Sequence, residues 1–141
     1  MKHTSYDQYI VMFFIMIVSG LLSTMNVWVT KYDDIRFSIN DVYMTLLMTG
    51  WMFLLMGLYY KETIIVIIGL LLVIVNLWCI RTQFMVSTTQ YIRGMIPHHS
   101  MAIHMSKKLL QNQSPHIRDF VSNILTTQDK EIMYMKSIIK R

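Results

Sequence analysis

Residues 64–80 read IIVIIGLLLVIVNLWCI, a run of seventeen residues that contains no charged side chain. A helix that is apolar on all sides belongs either in the interior of a large protein or in a bilayer. The chain has only 141 residues, which is too few to enclose such a helix completely. This stretch therefore predicts a transmembrane helix, and the rest of the fold is arranged around it.

Two more apolar runs, at 10–29 and 42–60, precede it and also approach the roughly 20 residues that a helix needs to cross a bilayer. The composition, 54% hydrophobic and 15% charged, is typical of a membrane protein. Because the link at 61–63 is so short, the second and third spans must form an antiparallel hairpin. We therefore predict a membrane domain over residues 1–81 with three transmembrane helices.

Positive charge predicts the orientation of these spans. Three crossings place the tail from Thr82 onward on the same side as the first link between the spans. That side carries Lys31, Arg36 and nine more Lys and Arg residues from Arg81 onward, whereas the other side carries only Lys2 and Lys61. Since Lys and Arg are enriched in cytoplasmic loops, the tail is expected in the cytoplasm and the protein in the plasma membrane.

The tail, residues 82–141, predicts two helices joined by a turn at 111–115, where Ser114 can cap the second helix and Pro115 can occupy its first position. A helix beginning near Thr82 is expected to be kinked or restarted at Pro97, because proline removes a backbone donor. The second helix is amphipathic and needs a partner. The two tail helices should form a hairpin that packs against another copy or against a membrane-proximal part of its own chain.

Residues 95–105, MIPHHSMAIHM, concentrate imidazole and thioether groups in the first tail helix. At about 100° per residue, His98, Met101 and Met105 fall within roughly 60° of one another, while His99 lies on the apolar face and His104 points away from it. Neutral nitrogen and soft sulfur ligands favour Cu(I) or Ag(I) over hard ions. We therefore predict a Cu(I) site at His98, Met101 and Met105.

In the second tail helix, Gln128 and Glu131 share a face with Met135. His99 and Met135 are both further candidate ligands. Zinc is served less well, since Glu131 is the one well-placed acid and the single cysteine, Cys79, lies in a span. A di-iron site is disfavoured because no Glu-x-x-His pair occurs. The competing interpretation is structural: the histidines satisfy buried hydrogen bonds, and the methionines fill irregular apolar packing.

A second methionine pattern lies in the membrane domain, where Met44, Met48, Met52 and Met56 recur every four residues along the second span. Successive members turn by only about 40°, so they form a slowly winding stripe. One interpretation is a ladder of soft ligands for Cu(I). We favour a packing stripe, because no His, Cys or acidic residue interrupts it.

The tail resembles the DUF305 family in two motifs, MIPHHSMAIHM at 95–105 and, after a proline-containing turn, QDKEIMYM at 128–135. The spans before the tail resemble a membrane-anchored bacterial subgroup of that family. The resemblance implies an all-α, ferritin-like helical domain that forms oligomers, with copper or silver binding and metal tolerance in some members. Carried over by position, the motif residues are Met95, His98, His99, Met105, Gln128, Glu131 and Met135. Met101 and His104 occupy variable positions.

Together these features predict an all-α bacterial inner-membrane protein that binds Cu(I) or Ag(I) in metal buffering or tolerance, as a homo-oligomer or within a larger membrane complex. The alternative is a non-catalytic structural or assembly subunit. No nucleophile with a base, acid pair or phosphate loop is recognisable, so we predict no enzymatic activity. Positive charges spread over both tail helices beside a bilayer suggest contact with anionic lipid and not with nucleic acid.

Overall fold

The computed structural model describes residues 6–111 and 117–139, and within them the regular secondary structure is all helical, without strands. The element order confirms three apolar helices followed by a pair of amphipathic ones. The five helices are α1 (Tyr6–Leu22), α2 (Ile39–Tyr60), α3 (Thr63–Thr82), α4 (Thr88–Gln111) and α5 (Arg118–Ile139), with 3₁₀ turns at Met25–Trp28 and Tyr32–Asp34 between α1 and α2.

The chain divides into two compact units. The membrane unit comprises the described residues of Met1–Thr24 and Ile39–Met85, and the hairpin unit comprises those of Met25–Ser38 and Val86–Arg141. Residues 25–38, called the docking loop below, fall within the stretch assigned above to the membrane domain. They nevertheless pack with the tail helices, and the chain therefore enters the hairpin unit twice.

Three helical segments of the chain, Tyr6–Trp28, Ile39–Tyr60 and Thr63–Thr82, are long and apolar enough to cross a membrane. The first is predicted to begin at Ile10, and it begins four residues earlier because Tyr6 and Tyr9 continue the helix. Most apolar side chains of these helices are exposed within the chain. A bilayer is the solvent that suits such a surface.

Helices α2 and α3 approach each other closely because glycines lie between them. A Cβ atom added at Gly69 would lie 2.9 Å from the carbonyl oxygen of Gly50, closer than real Cβ contacts allow. The short link closes in a Schellman arrangement: Glu62 N donates to Gly57 O at 2.8 Å, and Lys61 adopts a left-handed φ of 60°. This geometry makes the predicted tight hairpin.

The hairpin unit is an antiparallel pair of helices with a continuous apolar seam. Early residues of α4 pack against late residues of α5, and the shared core comprises Ile92, Ile96, Ile103, Ile132 and Met135. The docking loop packs on α4. Of the two partners predicted for the hairpin, the membrane-proximal part of its own chain is therefore the one that the structure shows.

The predicted restart at Pro97 is wrong, since α4 runs as one helix from Thr88 to Gln111 with Pro97 inside it; the predicted kink stays a prediction. Pro97 is itself buried, and the turns on both sides of it, at Ile96 and Ile103, belong to the same core. Packing that continues across the proline compensates for the missing backbone hydrogen bond. The expected turn with Ser114 and Pro115 lies outside the described residues, as do His3 and His116.

Candidate functional site

The centre of the motif is the pair His99 and Glu131, which joins α4 to α5. His99 Nδ1 lies 3.1 Å from Glu131 Oε2, and the His99 side chain is only 13% exposed, whereas that of Glu131 is half exposed. The ring nitrogen is buried and, despite this distance, has no hydrogen bond of good geometry. The two side chains thus lie in contact without a formed hydrogen bond on Nδ1.

Burial lowers the pKa of His99 below its ordinary value. The negative charge of Glu131 works in the opposite direction, and the neighbouring His98 adds to the lowering. His98 and His99 have ring centroids 5.9 Å apart. At neutral pH His99 is therefore an uncharged imidazole, which is the form that binds metal ions.

Two sulfur atoms and one amide belong to the helix turns beside this pair. Met135 is buried in the hairpin core, and Met95 packs against the same core; each lies one helical turn from the His99–Glu131 pair along its own helix. Gln128, one turn before Glu131, has a buried side-chain oxygen without a hydrogen-bond partner. The structure thus pairs His99 with Glu131 and places Met95 and Met135 in the hairpin core.

The other predicted ligands lie farther toward solvent. His98 is exposed, Met101 is half-buried, and Met105 is 54% exposed. Helical spacing predicts that they share one stripe of α4. Met105 lies outside the buried core that contains Met135.

His104 points to the opposite side of α4, in agreement with its helical position. Its ring packs edge-on against Trp28 of the docking loop, with centroids 6.4 Å apart. This residue therefore contributes to attaching the loop and not to the His99 group.

The membrane methionines are also distributed unevenly. Met44 and Met48 are exposed, whereas Met52 and Met56 are half-buried. Met44 is thus open to a neighbouring helix or lipid, whereas the end of the Met48 side chain lies beside Gly20 of α1.

A polar cluster that the sequence analysis missed fixes the docking loop on the hairpin. Asp34, only 2% exposed, accepts a hydrogen bond from Ser100 Oγ at 2.6 Å and pairs with Lys136 Nζ at 2.6 Å. Thr30 N donates to Ser100 Oγ at 2.8 Å, and Thr30 Oγ1 donates to the Ser100 carbonyl at 3.0 Å. Asp33 supplies Lys136 with a second carboxylate.

Lys136 is the cation that makes this burial tolerable. Burial by itself lowers the pKa of its ammonium, but the hydrogen bonds to Asp33 and Asp34 and their negative charges outweigh that effect and raise the pKa above its ordinary value. The adjacent acids of the first link, Asp33 and Asp34, are a sequence signal of this cluster, because a pair of acids beside a span needs a cation or water.

The donor set restricts what the site can hold. Among residues 6–111 and 117–139, no group of three or more His, Cys, Asp or Glu side chains is placed to hold a metal ion. The described residues therefore do not gather the side chains of a typical zinc or calcium site.

Comparisons with known proteins address the hairpin and most of the chain. Residues 82–139 match the family model described as "Domain of unknown function (DUF305)". An uncharacterized protein of Acanthamoeba polyphaga mimivirus is 41% identical over 128 residues, which cover 86% of this chain and 84% of that protein. No solved structure matches this chain. Because that relative is viral, the expected bacterial origin remains a prediction.

Proposed function

Because the chain belongs to the DUF305 family, we propose that it is a membrane protein whose helical hairpin binds a soft ion, Cu(I) or Ag(I), for buffering or tolerance. The ligands are His99 with the sulfurs of Met95 and Met135, while Gln128 and Glu131 position them. His98, Met101 and Met105 form an outer group on the exposed stripe of α4.

The observation that carries this proposal is the state of His99. It is shielded from water, kept neutral by burial, and has no hydrogen bond on Nδ1 within the described residues. A metal-binding histidine commonly faces a carboxylate with one ring nitrogen and offers the other to the ion. With Glu131 3.1 Å from Nδ1, Nε2 would be the nitrogen offered to the ion.

Soft sulfur chemistry selects the ion. Zinc sites draw on thiolate, imidazole and carboxylate ligands, and three such side chains are not gathered among the described residues. Thioethers at Met95 and Met135 add ligands that Cu(I) accepts and that Mg²⁺ and Ca²⁺ do not.

A second copy is the partner we propose for the open side of the hairpin. Phe120 and Tyr134 of α5 and Met105 of α4 are each more than half exposed, and Phe120, Thr127 and Tyr134 recur every seven residues. Such a stripe is typical of helices that pack against other helices. A second copy packed there would enclose the outer group of His98, Met101 and Met105. The chain would then form a homo-oligomer, alone or within a larger membrane complex.

The proposed location of the protein is the plasma membrane, which the three apolar helices would cross. Because Lys and Arg are enriched on the tail side, we place the hairpin in the cytoplasm. There it would buffer or transfer cytosolic Cu(I), without enzymatic activity.

The test is anaerobic Cu(I) titration of the full-length protein in a neutral detergent, competed by a Cu(I) chelator. We expect His99→Ala and Met95→Leu each to weaken binding about tenfold or more, whereas His104→Ala, on the opposite side of α4, should leave it unchanged. Equal affinities in all three variants and the parent would overturn the proposal.

A structural subunit is the second candidate, and the burial of Met135 with Ile92, Ile96 and Ile132 favours it. In that case Met95→Leu would leave the hairpin intact, because leucine fills a similar apolar volume, and no chelator-competing Cu(I) would bind. His99→Ala would instead destabilise the hairpin in the absence of metal.

A further inference from the structure

A groove on the hairpin unit lies away from the His99 group. It has a volume of about 450 Å³, within the range of small-molecule sites. Its floor is apolar, formed by Ile103 of α4 and Leu125 of α5. The remaining lining residues are Lys31, Lys107, Thr126, Asp129 and Lys130.

Three ammonium groups from three separate elements converge on this groove: Lys31 from the docking loop, Lys107 from α4 and Lys130 from α5. Asp129 lies 3.8 Å from Lys31 and compensates one of these charges. Lys107 and Lys130 have no carboxylate partner among the residues that the structure describes. The groove therefore carries an excess of positive charge above an apolar floor.

Chain connectivity places Lys31 beside the membrane. The first candidate span extends to Trp28, so Lys31 follows it by three residues and lies within about 10 Å of its end. Trp28 and Tyr32, on either side of Lys31, are both exposed aromatic residues, the type enriched at the boundary between lipid and water. Lys31 is thus close in sequence to the end of the first candidate span and lies between two exposed aromatic residues.

We propose that this groove binds the phosphate headgroup of an anionic phospholipid. The ammonium groups of Lys107 and Lys130 pair with the phosphate, while Ile103 and Leu125 contact the apolar part of the lipid nearest to it. Lys31 holds the rim through Asp129. The charge excess on this side of the membrane matches the leaflet that carries anionic lipid. This inference does not depend on metal binding.

The experiment measures lipid binding to the full-length protein in a neutral detergent, with phosphatidylglycerol, phosphatidylcholine and inorganic phosphate as separate probes. We expect phosphatidylglycerol to bind at least tenfold more tightly than phosphatidylcholine. Lys107→Gln with Lys130→Gln should reduce its affinity about tenfold or more. The matched control, Lys108→Gln with Arg118→Gln, removes the same charge from the same two helices outside the groove and should reduce it less than threefold.

A gain-of-function variant separates a binding site from a structural role. Asp129→Asn removes the one carboxylate of the groove and should raise the affinity for phosphatidylglycerol several-fold. Equal losses in the two double variants, equal binding of both lipids, or variant-sensitive binding of inorganic phosphate without any preference for phosphatidylglycerol would each overturn the proposal.

Discussion

Replacing Asp34 by asparagine should release the docking loop from the hairpin. The substitution keeps the shape of the side chain but removes the buried charge that faces Lys136 Nζ at 2.6 Å. Removing one partner of a buried ion pair costs about 3–5 kcal/mol. We expect the lower end, about 3 kcal/mol, because Lys136 retains the exposed carboxylate of Asp33.

The amide of Thr30 reports this release directly, since it donates to Ser100 Oγ across the same cluster. At about 1.4 kcal/mol for each factor of ten, Asp34→Asn should accelerate hydrogen exchange at Thr30 about 150-fold in the full-length protein in detergent. Exchange in the middle of α3 should not change, because local opening is confined to the segment that loses its contacts.

Asp33→Asn is the matched control. Asp33 bonds to the same ammonium, but its side chain is 77% exposed, and exposed ion pairs contribute about 1 kcal/mol or less. In the Asp33→Asn variant, the hydrogen-exchange rate of the Thr30 amide should rise less than about fivefold. Equal acceleration in the two variants, or none in Asp34→Asn, would refute the claim that the buried carboxylate fixes the loop.

Three further outcomes are expected. Because the pKa of His99 is lowered in the fold, His99 binds a proton more readily in the unfolded chain than in the folded one. The metal-free protein should therefore lose thermal stability as the pH falls below about 6.5, and the His99→Asn variant should lose less. Identical pH profiles of the two proteins would contradict this. Gly69→Leu should reduce the free energy of unfolding by about 1–3 kcal/mol and so lower the melting temperature in detergent. Gly94→Ala, whose Cβ would lie 3.2 Å from Ser38 Oγ, should change the melting temperature little. A reporter fused after Arg141 should be active in the cytoplasm, and a signal from the opposite side would reverse the orientation.

The helices could be predicted from sequence because their signals are local. Apolar runs of membrane length define α1 to α3, and apolar residues at helical spacing define α4 and α5. The docked loop could not be predicted in this way, since Asp34 bonds to Ser100 sixty-six positions later and Asp33 bonds to Lys136 one hundred and three positions later. No local periodicity encodes such pairings.

The candidate site was predictable in part for the same reason. Helical spacing predicts that His98, Met101 and Met105 share one stripe, but it does not determine which stripe α5 covers. That depends on tertiary packing, in which Ile132 and Met135 join the core of Ile92, Ile96 and Ile103, whereas Met105 stays 54% exposed. Which residues share a face is a local property, whereas burial of that face depends on tertiary packing.

X-ray absorption at the copper edge of the full-length, Cu(I)-loaded protein tests the proposed function most directly. We predict both nitrogen and sulfur scatterers in the first coordination shell of the copper ion. The sulfur contribution should decrease in Met95→Leu and the imidazole contribution should decrease in His99→Ala. A shell of nitrogen and oxygen atoms alone, or one unchanged by either substitution, would contradict binding at the His99 group.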